Sequence, residues 1–165
     1  MCTVFTLLAI LSANPRSSVV DLLLFFTLAA TGFVGCAEFA SVCLVHPVIR
    51  RLPEDSQLVM EQGLLRTFGA AMPVGMTAAP ILAGIGAGTT GNAWCIAAAV
   101  VLTIALIATI LGNVPINLRT FFIKGTSAPE GFIPMRRRWD IFQAIRGSLQ
   151  LIGFLLVCVA VATAP

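Results

Sequence analysis

Four long apolar runs limit what this chain can fold into more than any other feature. They cover about residues 22–45, 64–85, 93–114 and 141–164. Each is close to the roughly 20 apolar residues that a helix needs to cross a bilayer. Backbone groups in lipid must be hydrogen-bonded within the protein, and the runs lack the alternating polarity of barrel strands. The sequence therefore predicts an all-α membrane protein with four transmembrane helices.

Composition and charge agree with this fold class. The chain is 58% hydrophobic and 10% charged, and its mean hydropathy is +0.99, which excludes an ordinary soluble domain. The net charge of +3 lies in the connections between runs and forms no basic stripe. No nucleic-acid partner is therefore predicted, and the lipid bilayer is the expected environment.

The positions of the basic residues predict the topology. They cluster after the first and third runs, at Arg50, Arg51, Arg119, Lys124 and Arg136–Arg138. The opposite side has only Arg16, before the first run. By the positive-inside rule the two basic connections are cytoplasmic, and both termini lie on the non-cytoplasmic side. Short connections predict an antiparallel up-down bundle, and the expected location is the plasma membrane.

The chain is expected to form a single four-helix domain over residues 19–165. Residues 1–18 contain an apolar stretch at 4–11 that is too short to cross a membrane. No basic stretch precedes it, so an interfacial segment is expected rather than a cleaved signal peptide. The longest connection, 119–139, is either a lid or an ordinary connector.

Polar residues inside or next to the runs are the candidate functional residues, because a charge at mid-bilayer costs about 2.5 to 3.5 kcal/mol. They are Glu38, His46, Arg66, Asn113, Asn117, Trp139, Gln143 and Arg146. At about 1.5 Å of rise per residue, most lie within two turns of the predicted cytoplasmic boundary, and Glu38 lies about 12 Å below His46. Four helices are thus expected to bring polar groups together at one end of the bundle.

Spacing predicts which of these side chains share a helix face. Trp139, Gln143 and Arg146 are four and three residues apart, so they lie on one face, which should point into the bundle. Asn113 and Asn117 are four apart at the predicted end of the third helix. Pro115 between them frees a backbone carbonyl that a carboxamide can satisfy.

Structural explanations compete with these functional ones. Arg66 and Arg146 can extend to lipid headgroups, and asparagines often join membrane helices. Glu38 can form an ion pair with either arginine or stay protonated. His46, at a helix end before Pro47, can be an interfacial or capping residue.

No metal site is predicted, because the chain has a single histidine and lacks paired metal-binding spacings. A haem with one axial histidine stays open, and the cofactor is unknown. A carboxyl, guanidinium groups and amides in apolar surroundings suit the binding of a hydrophobic molecule with a few oxygens.

Two motifs carry a family resemblance. "NVPIN" followed by "RRWDIFQAIRG" resembles the anthrone oxygenase-like family of small four-helix membrane proteins, whose pattern is Asn-x-Pro-x-Asn, then a tryptophan and an arginine seven residues later. Trp139 and Arg146 fit that spacing, and "GFVGCAEFASVCLVHPVIRRLP" resembles the family's first span. Many relatives have a histidine where this chain has Gln143, which cannot carry a proton at neutral pH.

The resemblance implies an oxygenase that acts on a hydrophobic aromatic intermediate of natural-product synthesis with dioxygen. Glu38 or His46 would be the base, and Arg146 with Asn113 and Asn117 would stabilise an enolate oxygen. Trp139, Gln143 and Arg66 would complete the substrate site.

Another functional class is also open. A non-catalytic accessory protein that binds a hydrophobic metabolite would show the same residues. A transporter is less favoured, because four spans without inverted repeats give little support for alternating access. The oligomeric state is not predicted.

Overall fold

The computed structural model describes residues 15–163. Within them lie four helical spans long and apolar enough to cross a membrane, which confirms the predicted all-helical, four-span class. They are span 1 (Val19–Ile49), span 2 (Glu54–Thr90), span 3 (Ala93–Phe121) and span 4 (Phe132–Ala162). No strand occurs in the described range. The predicted segment 1–18 lies almost wholly outside it.

Spans 1 and 3 each consist of two α-helices joined by a π-helical turn, whereas spans 2 and 4 are single α-helices. The helices are α1 (Pro15–Ala40), α2 (His46–Ile49), α3 (Glu54–Thr90), α4 (Ala93–Ala108), α5 (Val114–Phe121) and α6 (Phe132–Ala162). A π-helical turn, Ser41–Val45, joins α1 to α2, and another, Thr109–Asn113, joins α4 to α5. Spans 1 and 3 are therefore helical along their whole length.

Every helical span continues beyond its apolar run at one end or both, so the helices are longer than the runs that predicted them. Span 2 begins at Glu54 rather than near residue 64, and span 4 begins at Phe132 rather than near 141. Span 3 continues to Phe121, which leaves only residues 122–131 as the long connection. The physical reason is that helices continue through polar residues when these have partners inside the bundle.

The two π turns share a cause that the sequence shows. Each is followed by a proline, Pro47 or Pro115, near the start of the next helix. Proline has no N–H, so the usual helical bond cannot form there, and the ladder shifts to bonds five residues apart, from His46 N to the Ser41 carbonyl and from Val114 N to the Thr109 carbonyl. "NVPIN" therefore lies inside span 3 and does not end it, contrary to the prediction.

Local residue choices explain the sharp turn between spans 2 and 3. Gly91 has φ 66°, a left-handed conformation that favours glycine, and it ends α3. Asn92 then caps α4, because its side chain accepts a hydrogen bond from the Trp94 N–H at 2.8 Å. Spans 2 and 3 are therefore connected by a turn of only two residues, Gly91 and Asn92.

In the half of the bundle that contains the turn between spans 2 and 3, the core is built largely from small residues. Ala79, Ala83 and Ala98 are fully buried and pack with Leu102 and Val157. Alanine lets helix axes approach closely, which is how membrane helices gain packing energy without a hydrophobic driving force. Spans 2, 3 and 4 are tightly joined here.

Glycines bring spans 1 and 4 together and so position the site. A Cβ atom on Gly35 would lie 2.8 Å from the Gln150 carbonyl oxygen, and one on Gly147 would lie 3.2 Å from the Glu38 carbonyl oxygen. Only glycine allows such close backbone approach. As a result, Glu38 on span 1 faces the polar side chains of span 4.

Candidate functional site

A cavity of about 550 Å³ lies among the four spans. Its walls are mainly apolar and come from spans 2 and 3, where Phe68, Met72 and Ile110 contribute. Its polar lining comes from all four spans and includes, besides Thr77 and Thr109, Glu38, Ser41, His46, Glu61, Asn117, Trp139, Gln143 and Arg146. The volume is in the range of ordinary small-molecule sites, and a few polar groups in an apolar wall are typical of them.

Glu38 is held by two side chains of span 4. Its Oε2 accepts a hydrogen bond from Gln143 Nε2 at 2.8 Å and an ion-paired one from Arg146 Nη2 at 2.6 Å. Arg146 also donates to Gln143 Oε1, which closes the triangle. Among the alternatives that the sequence left open, Glu38 therefore pairs with Arg146. No described residue bonds to Oε1, which leaves that oxygen free for a ligand.

His46 has a defined tautomer because of its π turn. Its Nδ1 lies 2.9 Å from the Ser41 carbonyl oxygen, which can only accept a hydrogen bond, so Nδ1 carries the proton. Ser41 Oγ lies 3.1 Å from the same nitrogen. In the neutral imidazole the lone pair is consequently on Nε2, a buried atom that has no hydrogen-bond partner in the described part of the chain. Such a nitrogen can accept a proton.

A second carboxylate lies next to this nitrogen. Glu61 Oε1 is 3.7 Å from His46 Nε2 and 2.6 Å from Arg136 Nη2. The side chains of Glu61 and Arg136 are each only 7% exposed, so this is a buried ion pair. The cavity therefore has two carboxylates, Glu38 and Glu61, each balanced by an arginine of span 4.

Trp139 connects the histidine to the third span. Its ring centroid is 4.6 Å from that of His46, and the Arg136 guanidinium carbon lies 4.1 Å from the indole centroid, a cation–π distance. Its Nε1–H donates to Asn117 Oδ1 at 2.6 Å. Trp139 thus orients both a cavity amide and the imidazole.

Six of the eight sequence-predicted site residues line the cavity: Glu38, His46, Asn117, Trp139, Gln143 and Arg146. Asn113 does not. It is fully buried and donates to the Trp139 carbonyl at 3.5 Å, so it joins spans 3 and 4. Its side chain thus contacts another helix rather than the cavity.

Arg66 is the other exception. It is exposed and lies outside the cavity lining. At about 100° per residue, it is roughly 140° around the helix from Glu61, which faces the cavity. The prediction relied on depth alone, and depth does not say which face a side chain occupies.

Sequence reasoning missed Ser41, Glu61 and Arg136. Glu61 precedes the second apolar run, and Arg136 was counted only as a topology charge. A signal existed for Arg136, because it continues the three- and four-residue spacing of Trp139, Gln143 and Arg146 toward the helix start. Its neighbours Arg137 and Arg138 are exposed, as that spacing requires.

Groups able to hold a metal ion are sparse. No cluster of three or more His, Cys, Asp or Glu residues with suitable geometry occurs in residues 15–163. A cofactor held through an imidazole would have to use His46, the single histidine of the chain, through Nε2.

Comparison with known proteins identifies the family. The family model described as "Anthrone oxygenase" matches residues 57–156. This range includes all of span 3 and most of spans 2 and 4, and it contains Glu61, Trp139 and Arg146. Glu38 and His46, on span 1, precede the matched range. No curated protein and no solved structure matched the chain. Since the match extends over more than half of the sequence and includes most of the polar groups that line the cavity, the chain belongs to the anthrone oxygenase family.

Proposed function

We propose that this protein is a membrane-embedded oxidoreductase that oxidises a hydrophobic, anthrone-like aromatic substrate with dioxygen, assisted by a protein base. Family membership supports an oxygenase-type function. The observation that carries the proposal is the buried His46 Nε2, which has no hydrogen-bond partner among the described residues and lies at the edge of a largely apolar cavity.

His46 is the proposed base. The Glu38 carboxylate is already ion-paired with Arg146 and hydrogen-bonded by Gln143, whereas His46 Nε2 has no hydrogen-bond partner among the described residues. Removal of a proton from the activated methylene carbon of the substrate would give an imidazolium. Glu61, 3.7 Å away, would stabilise that positive charge. Glu38, through its free Oε1, is the second candidate base.

Arg146 and Asn117 are the proposed stabilisers of the enolate oxygen. Arg146 Nε is buried and has no hydrogen-bond partner among the described residues, so one N–H remains for a ligand. The Asn117 carbonyl is used by Trp139, and no described residue accepts from its amide nitrogen. Donors that wait unpaired in an apolar site are suited to the charge that develops on the substrate.

The reaction balances without a further reductant. The substrate carbanion reacts with dioxygen and, after protonation by the imidazolium, gives a carbon-bound hydroperoxide. Removal of the remaining proton from that carbon forms the carbonyl, breaks the O–O bond and expels hydroxide, which becomes water. The net change is R₂CH₂ + O₂ → R₂C=O + H₂O, in which carbon loses four electrons and dioxygen gains four.

Oxygen uptake by the purified protein in nanodiscs with anthrone tests the proposal. We expect uptake with anthraquinone as product, and a fall of about 10²- to 10⁴-fold for His46→Ala, the usual contribution of a general base. Arg50→Gln, which alters an exposed ion pair with Asp140, is the matched control and should keep activity.

Two outcomes would contradict the proposal. If His46→Ala, Glu38→Gln and Arg146→Ala all leave turnover unchanged, this site is not catalytic. If anthrone binds tightly and no oxygen is consumed, the protein is a binding or accessory protein for a hydrophobic metabolite, which is the alternative function.

A further inference from the structure

We infer that the substrate reaches the site sideways from the lipid, through an opening between spans 2 and 3, and that Gly69 limits the size of the ligand that passes. The inference rests on the proposed function for the chemical class of the ligand, a flat aromatic ring system with oxygen substituents. The location of the opening rests on the cavity itself.

The cavity reaches the surface of the bundle between these two spans. Its lining includes Ile110 and Leu118 of span 3, which are 54% and 53% exposed, and Phe68 of span 2, which is 36% exposed. In contrast, spans 2 and 3 are tightly packed through Ala83 and Ala98 in their other halves. Spans 2 and 3 are thus packed together in the half that contains Ala83 and Ala98, and they are separated in the half that contains the cavity.

The residues along the opening explain the separation. Gly69, Pro73 and Thr77 follow one another at four-residue intervals on the cavity face of span 2, and all are exposed. Glycine and threonine offer little side chain to fill the gap. Opposite them, span 3 widens into the π turn Thr109–Asn113, which contributes Thr109 and Ile110 to the lining. The space between the two helices is therefore open in the structure.

Polarity increases from the opening inward. The opening is bordered by uncharged, mainly apolar residues of spans 2 and 3, and the charged and amide groups belong mainly to spans 1 and 4. A ring system moving from lipid would keep apolar contact while its oxygen atoms advance toward Arg146 and His46. Surfaces of transmembrane helices that face outward contact lipid, so a lipid-soluble substrate need not cross water.

Gly69 is suited to a size test. A Cβ atom there would meet only Leu65, at 3.7 and 3.8 Å, which is ordinary van der Waals contact. A larger side chain can therefore be added without displacing the backbone, and it would occupy the opening. Gly84, on the same helix, has no atom within 4 Å of such a Cβ and does not line the cavity, so it provides a matched control.

Photolabelling with benzophenone, a lipid-soluble diaryl ketone, tests the inference in nanodiscs. We expect adducts at Leu65, Phe68, Ile110 or Leu118, located by mass spectrometry and displaced by excess anthrone. Gly69→Phe and Gly69→Leu should each reduce these adducts at least about tenfold, the scale on which a hydrophobic site rejects added bulk. Gly84→Phe should leave them unchanged, and unfolding curves of the variants check that each is folded.

The inference is overturned if Gly69→Phe labels like the wild type, or if adducts spread over all outward surfaces and anthrone does not displace them. Its failure is distinguishable from that of the proposed function. Displaceable labelling at the opening without oxygen uptake would retain the opening and reject the oxygenase. Anthrone oxidation that Gly69→Phe does not slow, with unchanged labelling, would retain the oxygenase and reject the opening.

Discussion

Replacing Arg146 with methionine should destabilise the protein far more than the same replacement at Arg50. Both arginines form an ion pair with a carboxylate, but their surroundings differ. The side chains of Arg146 and Glu38 are 9% and 1% exposed, whereas those of Arg50 and Asp140 are 48% and 19% exposed. The comparison therefore isolates the effect of burial.

The expected magnitudes follow from that burial. Removing one partner of a buried ion pair leaves an uncompensated charge and costs about 3–5 kcal/mol. An exposed pair is screened by solvent and contributes about 0.2–1 kcal/mol. Glu38 would keep only the hydrogen bond from Gln143 after Arg146→Met, so we expect the upper range for that variant.

Equilibrium unfolding of the detergent-solubilised protein by SDS measures both effects, with the intrinsic fluorescence of the two tryptophans, Trp94 and Trp139, as the probe. A double variant, Glu38→Gln with Arg146→Met, removes the stranded carboxylate and should be more stable than Arg146→Met alone. The reasoning is refuted if Arg146→Met and Arg50→Met cost the same, or if the double variant is as unstable as Arg146→Met.

Three further predictions concern packing and the tautomer. Trp139→Phe removes the donor to Asn117 and should lower the free energy of unfolding by about 0.5–1.5 kcal/mol; an unchanged curve would show that the bond contributes nothing. Gly35→Ala brings a Cβ against the Gln150 carbonyl and should cost about 1–3 kcal/mol, whereas Gly63→Ala, with open space around it, should not destabilise; equal effects would contradict the close approach. Nitrogen-15 NMR should show His46, the single histidine, protonated at Nδ1 when neutral, and a signal for protonated Nε2 would contradict the proposed base.

Much of the candidate site could be predicted from the sequence, because polar residues are rare in this chain and helix geometry relates them. The three- and four-residue spacing of Trp139, Gln143 and Arg146 predicted a common inward face, and all three line the cavity. Arg66 and Asn113 do not line the cavity, for a different reason. Their depth was estimated from the start and end of each apolar run, whereas which helix face meets the cavity depends on how neighbouring helices pack.

The buried ion pair of Glu61 with Arg136 could not be predicted from the sequence. Each lies outside an apolar run, where a charged residue normally meets water, and nothing in the local sequence says that the two form a buried pair. Their contact joins span 2 to span 4, across 75 positions of the chain, and arises only when the bundle assembles.

Hydrophobic run length by itself determined the helical, four-span class, because a chain of this composition has few other ways to satisfy its backbone in lipid. The sequence also contains the prolines that follow the π turns and the glycines that let spans 1 and 4 approach, but it does not show these roles. Which side of the membrane each end faces stays a prediction from charge. Tertiary structure decided the pairing of Glu38 with Arg146, the free Nε2 of His46 and the opening beside Gly69, because each depends on the distance between helices. That distance is set by side-chain volume at contacts far apart in the sequence.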